Sequence, residues 1–565
     1  MDYPEKAEHF LSHEQQFHLG FLPTEQSSPL TRDLDQTFAA STVAGIQQLQ
    51  TVDRNVLEMA QRVLASPEFA DFVACGTHTL QEGHKLVFSG CGSTGRLSIL
   101  LESMWRRYFL DHPGPWAERY GDRVFSIMTG GDHALIRSVE FFEDYAEFGR
   151  QQVRDLGMEA GDLLVAITEG GETSSVLGTV DEATQCGGRA FLLFNNPAPL
   201  LRERLERCRQ ALDNPAVTAL DLFCGPMAVA GSTRMQATTA EQLVAGAALE
   251  EILRRLTGID TPALDFVEEF RSLLDQLGAP QALEALAKVT EFEAELYRNG
   301  GLITYFADDF LLDIFTDTTE RSPTFMLPPF RKLDDETSPQ SWAFVKNPLF
   351  PTPEAWRRCL ARAPRCLPWQ PEDYKRMGAP ETIYQSPPKL NETELMKFTI
   401  GSEDSPCRYQ GVTNTALLIA VGQSLQDPEF ASLEEAFLRH TEPYQQRRRL
   451  YIVASTASDA VVVPFQTPPT PLRLLEHLAL KLVMNSLSTA TMALLGRLTG
   501  NWMSWVEVTN KKLLDRGTRL VAELCEVDYR TACLEIFRSV EELASRDPRA
   551  ERISPVQHTL RRLGR

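Results

Sequence analysis

Between residues 85 and 258 the chain alternates short apolar runs with longer helical stretches, and two of the joining turns are rich in glycine and hydroxyl residues. KLVFSG (85–90), RVFSIMTG (123–130), DLLVAIT (162–168), RAFLLFN (189–195) and VTALDL (217–222) read as strands. Nearly unbroken apolar runs separated by helices predict a parallel sheet covered on both faces, an α/β fold. A second block begins near 265. It has a long helical stretch (266–298), then strands at GLITYF (301–306), NTALLIAVG (414–422) and RLYIVAS (449–455). From 471 onward the pattern is nearly all helix. Residues 1–35 are polar and are expected to be irregular, and 36–68 carry helical spacing. Ten of the 34 prolines fall in 339–388, which predicts an irregular excursion there.

The two blocks resemble each other. QLVAGAALEEILRRLTG (242–258) and KLVMNSLSTATMALLGRLTG (481–500) both end in L-x-R-L-T-G, a two-copy pattern rather than a short-period repeat. The expected division is an N-terminal segment (1–35), a first domain (36–260), a second domain (261–500) and a helical C-terminal segment (501–565). Such a chain would form a pseudo-dimer within itself.

The 565 residues are enough for three or four domain-sized units at roughly 100–200 residues each. The net charge of −21 argues against a nucleic-acid partner held by phosphate contacts. The opening MDYPEKAEHF has no basic or apolar leader pattern, and no run of about 18 apolar residues lacks charges, so neither a signal peptide nor a membrane span is expected. A cytoplasmic protein is the expectation. Ten cysteines form no C-x-x-C pair and ten histidines form no H-E-x-x-H, so neither a metal site nor a cofactor is expected.

Four segments carry chemistry. Gly90-Cys91-Gly92-Ser93-Thr94-Gly95-Arg96 matches G-x-G-x-x-G between a strand and a helix. A dinucleotide site would want an acidic residue about 20 positions on, and none closes the next strand. Hydroxyls beside free N–H groups at a helix start suit a phosphate monoester instead. Thr168-Glu169-Gly170-Gly171-Glu172-Thr173-Ser174-Ser175 places hydroxyls and glycines at a second strand–helix turn of the same sheet edge. Glu140 and Glu143 are expected at i, i+3 on a helix, and Asp317 and Glu320 likewise. Asn510-Lys511-Lys512, with Arg516, reads as a basic helical face.

As an ordered set, GCGSTGR, TGGDHALIRSVEFFED (129–144), GPMAVAGSTRM (225–235) and KLVMNSLSTATMALLGRLTGNWM with VTNKKL (481–513) resembles the N-acetylmuramate 6-phosphate etherase and glucokinase regulatory protein family. The resemblance implies two tandem sugar-isomerase-type three-layer αβα domains with parallel sheets. SSPLTRDLDQ and 529–560 resemble the N-terminal segment and the start of the helical lid of the regulatory member. It further implies a phosphate held by Gly92, Ser93, Thr94, Gly95, Thr168, Gly170 and Thr173, with Glu320 and Lys512 reaching the sugar from the second block. An etherase would use two glutamates, which fall on Glu140 and Glu320; the corresponding first-block position is Met104. The block-two turn YFADDFL (305–311) has two aspartates and no glycine, so one ligand site per chain is expected. Glu169 and Glu172 flank the proposed phosphate loop, and either one pointing inward would oppose phosphate.

The function expected from this is a phosphosugar sensor whose ligand fixes the two blocks against each other, with a sugar kinase as a candidate partner. The alternative is an etherase-type carbon–oxygen lyase, in which one glutamate removes the proton α to the carbonyl of the opened sugar and the other protonates the departing ether oxygen. A sugar-phosphate isomerase ranks below both, because no histidine is placed to open the ring.

Overall fold

The computed structural model describes all residues except Met1, Ser138, 260–262, Val412, Asp427, 455–458 and 545–552; the side chain of Glu140 also lies outside the description. Among the described residues, ten strands form two five-stranded sheets. The first comprises β1 (Leu86–Gly90), β2 (Val124–Met128), β3 (Leu163–Ile167), β4 (Arg189–Phe194) and β5 (Val217–Asp221), in the order β2-β1-β3-β4-β5. The second comprises β6 (Ile303–Phe306), β7 (Ala343–Lys346), β8 (Thr415–Val421), β9 (Gln446–Val453) and β10 (Val461–Pro464), in the order β7-β6-β8-β9-β10. Every pairing is parallel, and the two strand orders are the same when each is counted from its own first strand. β1, β3 and β8 are buried along their whole length, as strands covered on both faces must be.

One continuous hydrophobic core runs from Phe10 through both sheets to Leu560. Within it pack two long helices, Gln236–Thr257 and Leu474–Leu494, the two segments that resemble each other in sequence. Gly246 makes that approach possible, since a Cβ there would stand 2.3 Å from Leu474 Cδ1.

Several expectations are corrected. Residues 1–35 are not irregular. Asp2 and Glu5 form a reciprocal cap that starts the helix Tyr3–His13, three single 3-10 turns follow, and Phe10 packs against Phe537. The 339–388 excursion holds the edge strand β7 and the helices Thr352–Leu360, Pro371–Arg376 and Glu381–Tyr384. Its prolines mark helix starts: Pro353 and Pro371 lie in first turns, where no N–H is needed, and Pro380 is an N-cap. Glu140 and Glu143 do not share an α-helix. Glu140–Phe142 is one 3-10 turn, Glu143 caps it, and the helix begins only at Ala146. The C-terminal region is interrupted between Leu494 and Lys511, where Trp502 pairs with Ala230 instead.

Candidate phosphosugar site

In a sheet of order 2-1-3-4-5, the connections after β1 and β3 leave in opposite directions and open a crevice at their carboxyl ends. Both glycine-rich turns lie there. After β1, Gly92 has φ 56° and ψ −122°, a conformation that only glycine adopts without strain, and a Cβ on it would meet nothing within 4 Å. Gly90 and Gly95 serve packing instead: a Cβ on Gly90 would stand 2.4 Å from the Thr94 backbone, and one on Gly95 2.7 Å from Met128 Cγ. Ser93 opens a 19-residue helix, is partly exposed, and its hydroxyl makes no hydrogen bond among the described residues. The Thr94 hydroxyl is committed to the turn, accepting from the Cys91 N–H at 3.0 Å and donating to the Cys91 carbonyl at 2.9 Å. Thr94 can therefore offer a ligand only its backbone.

After β3, the Thr168 hydroxyl donates to Thr173 at 3.0 Å and the Gly171 N–H to the Thr168 carbonyl at 2.9 Å, closing the turn. Thr173 caps the helix Ser174–Gln185 without a side-chain cap bond. Asn196 Nδ2 holds the Gly170 carbonyl at 2.9 Å and the Thr24 hydroxyl at 2.9 Å, so the N-terminal segment braces this loop.

Glu172 does not oppose an anion. It pairs with Lys512 Nζ at 2.8 Å and Arg207 Nη2 at 2.7 Å. Burial alone would raise its carboxyl, but these two cations bring it down to about 2. Lys512 thus stands against the second loop. Although burial disfavours its charge, Glu172, Glu143 and Glu25 hold its ammonium well above the usual range. Glu169 differs: its Oε1 accepts from Thr233 at 3.1 Å, and its carboxyl is raised by burial and by nearby Glu320, against the opposing pull of Lys512.

Glu320 lies on the helix Leu311–Phe325, which follows β6. It is paired with Arg96, the last residue of the first turn motif, which also donates to the Leu135 carbonyl at 2.9 Å and Thr319 Oγ1 at 3.1 Å. Ser93 and Glu320 share the wall of a cavity of about 40 Å³ with Arg234, Gln242, Lys481 and Asn485. The structure therefore brings Gly92, Ser93, Thr94, Gly95 and Glu320 together through Arg96, and Thr168, Gly170, Thr173 and Lys512 together through Glu172. Glu140 lies beyond the described side chains.

Sequence reading left Arg96, Arg207, Arg234 and Lys481 without roles. Arg96 was visible inside its motif, but only tertiary packing shows that it points at the second sheet's helix. In the second sheet the matching crevice is a cavity of about 140 Å³ whose charged lining groups are paired with one another. Asp308 pairs with Arg358 at 2.8 Å, Asp309 with Arg473 at 3.1 Å, and Glu476 Oε1 accepts the Gln423 N–H at 2.9 Å.

Residues 69–184, which include both turns, match the family model described as the glucokinase regulatory protein N-terminal SIS domain. N-acetylmuramic acid 6-phosphate etherase 1 of Bacillus licheniformis is 29% identical over 227 residues, 40% of this chain and 67% of its own length. The etherase of Pectobacterium atrosepticum is 32% identical over 227 residues, with the same shares of 40% and 67%. Tagatose-6-phosphate ketose/aldose isomerase from Escherichia coli superposes with a TM-score of 0.41 and 11% identity over 81% of this chain and 93% of that one. No described helix is long and apolar enough to cross a membrane. With these turn motifs and etherase relatives at this identity, the chain belongs to the family of SIS-domain proteins that includes the N-acetylmuramic acid 6-phosphate etherases and the glucokinase regulatory protein.

Proposed function

We propose that this chain binds a sugar phosphate at the carboxyl edge of the first sheet and that the ligand fixes the two sheet-bearing halves against each other. The observation that carries this is the convergence of parts from the whole chain on one crevice. Gly92 and Ser93 start one helix there, Thr173 caps another, Lys512 arrives from the C-terminal helix Lys511–Cys525, and Glu320 arrives from the second half. The phosphate would take the Ser93 hydroxyl and the backbone N–H groups of Gly92–Gly95, Gly170, Glu172 and Thr173, with two helix N-termini aimed at it. The sugar ring would face Glu320. A ligand touching both halves binds one relative arrangement better than another, which is what a sensor requires. The aspartates at the second sheet's crevice, Asp308 and Asp309, support one ligand per chain, because they would repel a phosphate there. The reader of such a sensor would be a protein partner, a sugar kinase being the candidate that the family suggests.

The test is the melting temperature with N-acetylglucosamine 6-phosphate and with fructose 6-phosphate. A ligand at about 100 times its Kd stabilises by about 2.7 kcal/mol, an effect well within reach of the measurement. Ser93→Ala and Thr173→Ala are expected to cut that shift at least by half; an unchanged shift in both places the ligand elsewhere.

A second reading, a carbon–oxygen lyase, is favoured by the names of the relatives. It would need Glu320 and Glu140 as its proton-transferring pair. Lactate release from N-acetylmuramate 6-phosphate, lost in Glu320→Gln and in Glu140→Gln, would establish it. No release together with ligand-induced stabilisation would leave the sensor.

A further inference from the structure

Away from the phosphate turns, one carboxylate is buried without a partner. Asp53 is the first residue of the helix Asp53–Val63 and is only 8% exposed. Its side chain makes no hydrogen bond and no ion pair among the described residues. The two cations that face it are engaged elsewhere. Arg54 pairs with Asp275, and Lys481 Nζ donates to the Arg234 and Met235 carbonyls, Thr239 and Asn485. Both pull on Asp53 from a distance, yet burial still pushes its carboxyl up to about 7. A buried charge is costly to hold unless something supplies the countercharge.

Asp53 lines a cavity of about 260 Å³. Gln47, Gln50 and Thr51, at the end of the helix Thr42–Gln50, share its wall on the side of the first half. The second half supplies Leu274, Leu277 and Leu482, from the helices Phe266–Leu277 and Leu474–Leu494. No residue lines both this cavity and the one that holds Ser93 and Glu320, so the two are separate.

The walls define an occupant. The carboxylate calls for a positive charge bearing N–H donors, and the leucines call for carbon. Water would bond the carboxylate without balancing it and would wet the leucines. A divalent metal ion takes six or more oxygens, more than a wall with three leucines offers. The volume lies a little below the roughly 300–1,000 Å³ of pockets for drug-sized ligands, which suits a smaller molecule.

We infer that this cavity is a second ligand site, which takes a small primary amine in its ammonium form with an apolar body, and that Asp53 is its counter-ion. The inference stands apart from the sugar-phosphate reading.

Calorimetric titration of the full chain with benzylamine and with benzyl alcohol tests it, because the two share a shape and differ in charge. It is run at about pH 8, where Asp53 is mostly ionised and the amine is still protonated. The wild type is expected to favour benzylamine by at least about tenfold, the worth of one hydrogen bond to a charged group. In Asp53→Asn, or in Asp53→Ser should the first variant not fold, that ratio is expected to fall to within about twofold. A diffuse attraction of cations to a chain of net charge −21 would leave the ratio unchanged in the variant, and that result overturns the site. Equal affinity of the wild type for both compounds, or binding of neither, overturns it too. None of these outcomes bears on the phosphate crevice, which Asp53 does not line.

Discussion

Arg96 shows how much one residue can carry. It is fully buried on the helix that begins at the phosphate turn, yet its guanidinium reaches Glu320, Thr319 and the Leu135 carbonyl. Removing one member of a buried ion pair leaves the other charge uncompensated, which costs about 3–5 kcal/mol. Arg96→Met is therefore expected to lower stability by that amount in denaturant unfolding. The double variant Arg96→Met/Glu320→Gln is expected to recover part of the loss, since the stranded charge is gone. Gly92 is demanding in a different way. Alanine there would meet no neighbour, but it would have to hold φ 56° and ψ −122°. Gly92→Ala is expected to cost about 1–3 kcal/mol from backbone strain alone and to displace Ser93 from the crevice, reducing the sugar-phosphate-induced melting shift.

At the scale of elements, the strands of the first sheet were legible as apolar runs ending in turn signals; β1 to β4 are mostly buried, and the edge strand β5 is only partly so. β7 and β10 were not. β7 is four residues long, lies at a sheet edge and sits inside a proline-rich stretch, so neither length nor composition marks it. The helix Tyr3–His13 was missed because it is short and polar; it is held by its Asp2–Glu5 cap and by packing on the C-terminal helices. The two phosphate turns could be read from glycine and hydroxyl spacing. Glu172's neutralisation could not, since Lys512 lies 340 positions away. The 339–388 excursion makes the same point. Arg362 and Arg365 reach back to Glu102, and Arg362 also to Asp132, strapping the excursion across the first sheet. Arg362→Leu leaves Asp132 without that partner. Faster amide hydrogen exchange in 361–369 is expected, with β1 and β3 protected as before. Uniformly faster exchange throughout would mean that the strap holds the whole fold rather than its own segment.

Across the whole molecule, three buried carboxylates tie together parts that are remote in sequence. Glu25 joins the N-terminal segment to Arg516 and Arg519, Glu102 joins the first sheet to the excursion, and Glu172 joins the phosphate loop to Lys512. Burial alone would raise all three, but their cations bring each from the ordinary 4.5 to about 2. Between those values the unfolded chain binds protons that the native one does not, so the stability these groups give is whole above about pH 4.5 and drains away toward pH 2. Glu250 works in the opposite sense. Burial raises its carboxyl to about 7, so the native state holds a proton that the unfolded chain has lost, and stability falls as pH rises from about 4.5 to 7. The melting temperature is therefore expected to peak near pH 5, to ease downward toward neutrality and to fall steeply below pH 4.5. Glu25→Gln should melt lower at neutral pH and show a shallower acid limb, because one of the three titrating ties is gone. Melting curves from pH 7.5 to 3 on both proteins decide it. Identical acid limbs would mean that the N-terminal segment is released before Glu25 is protonated, and that Arg516 and Arg519 do not hold it to the C-terminal helix.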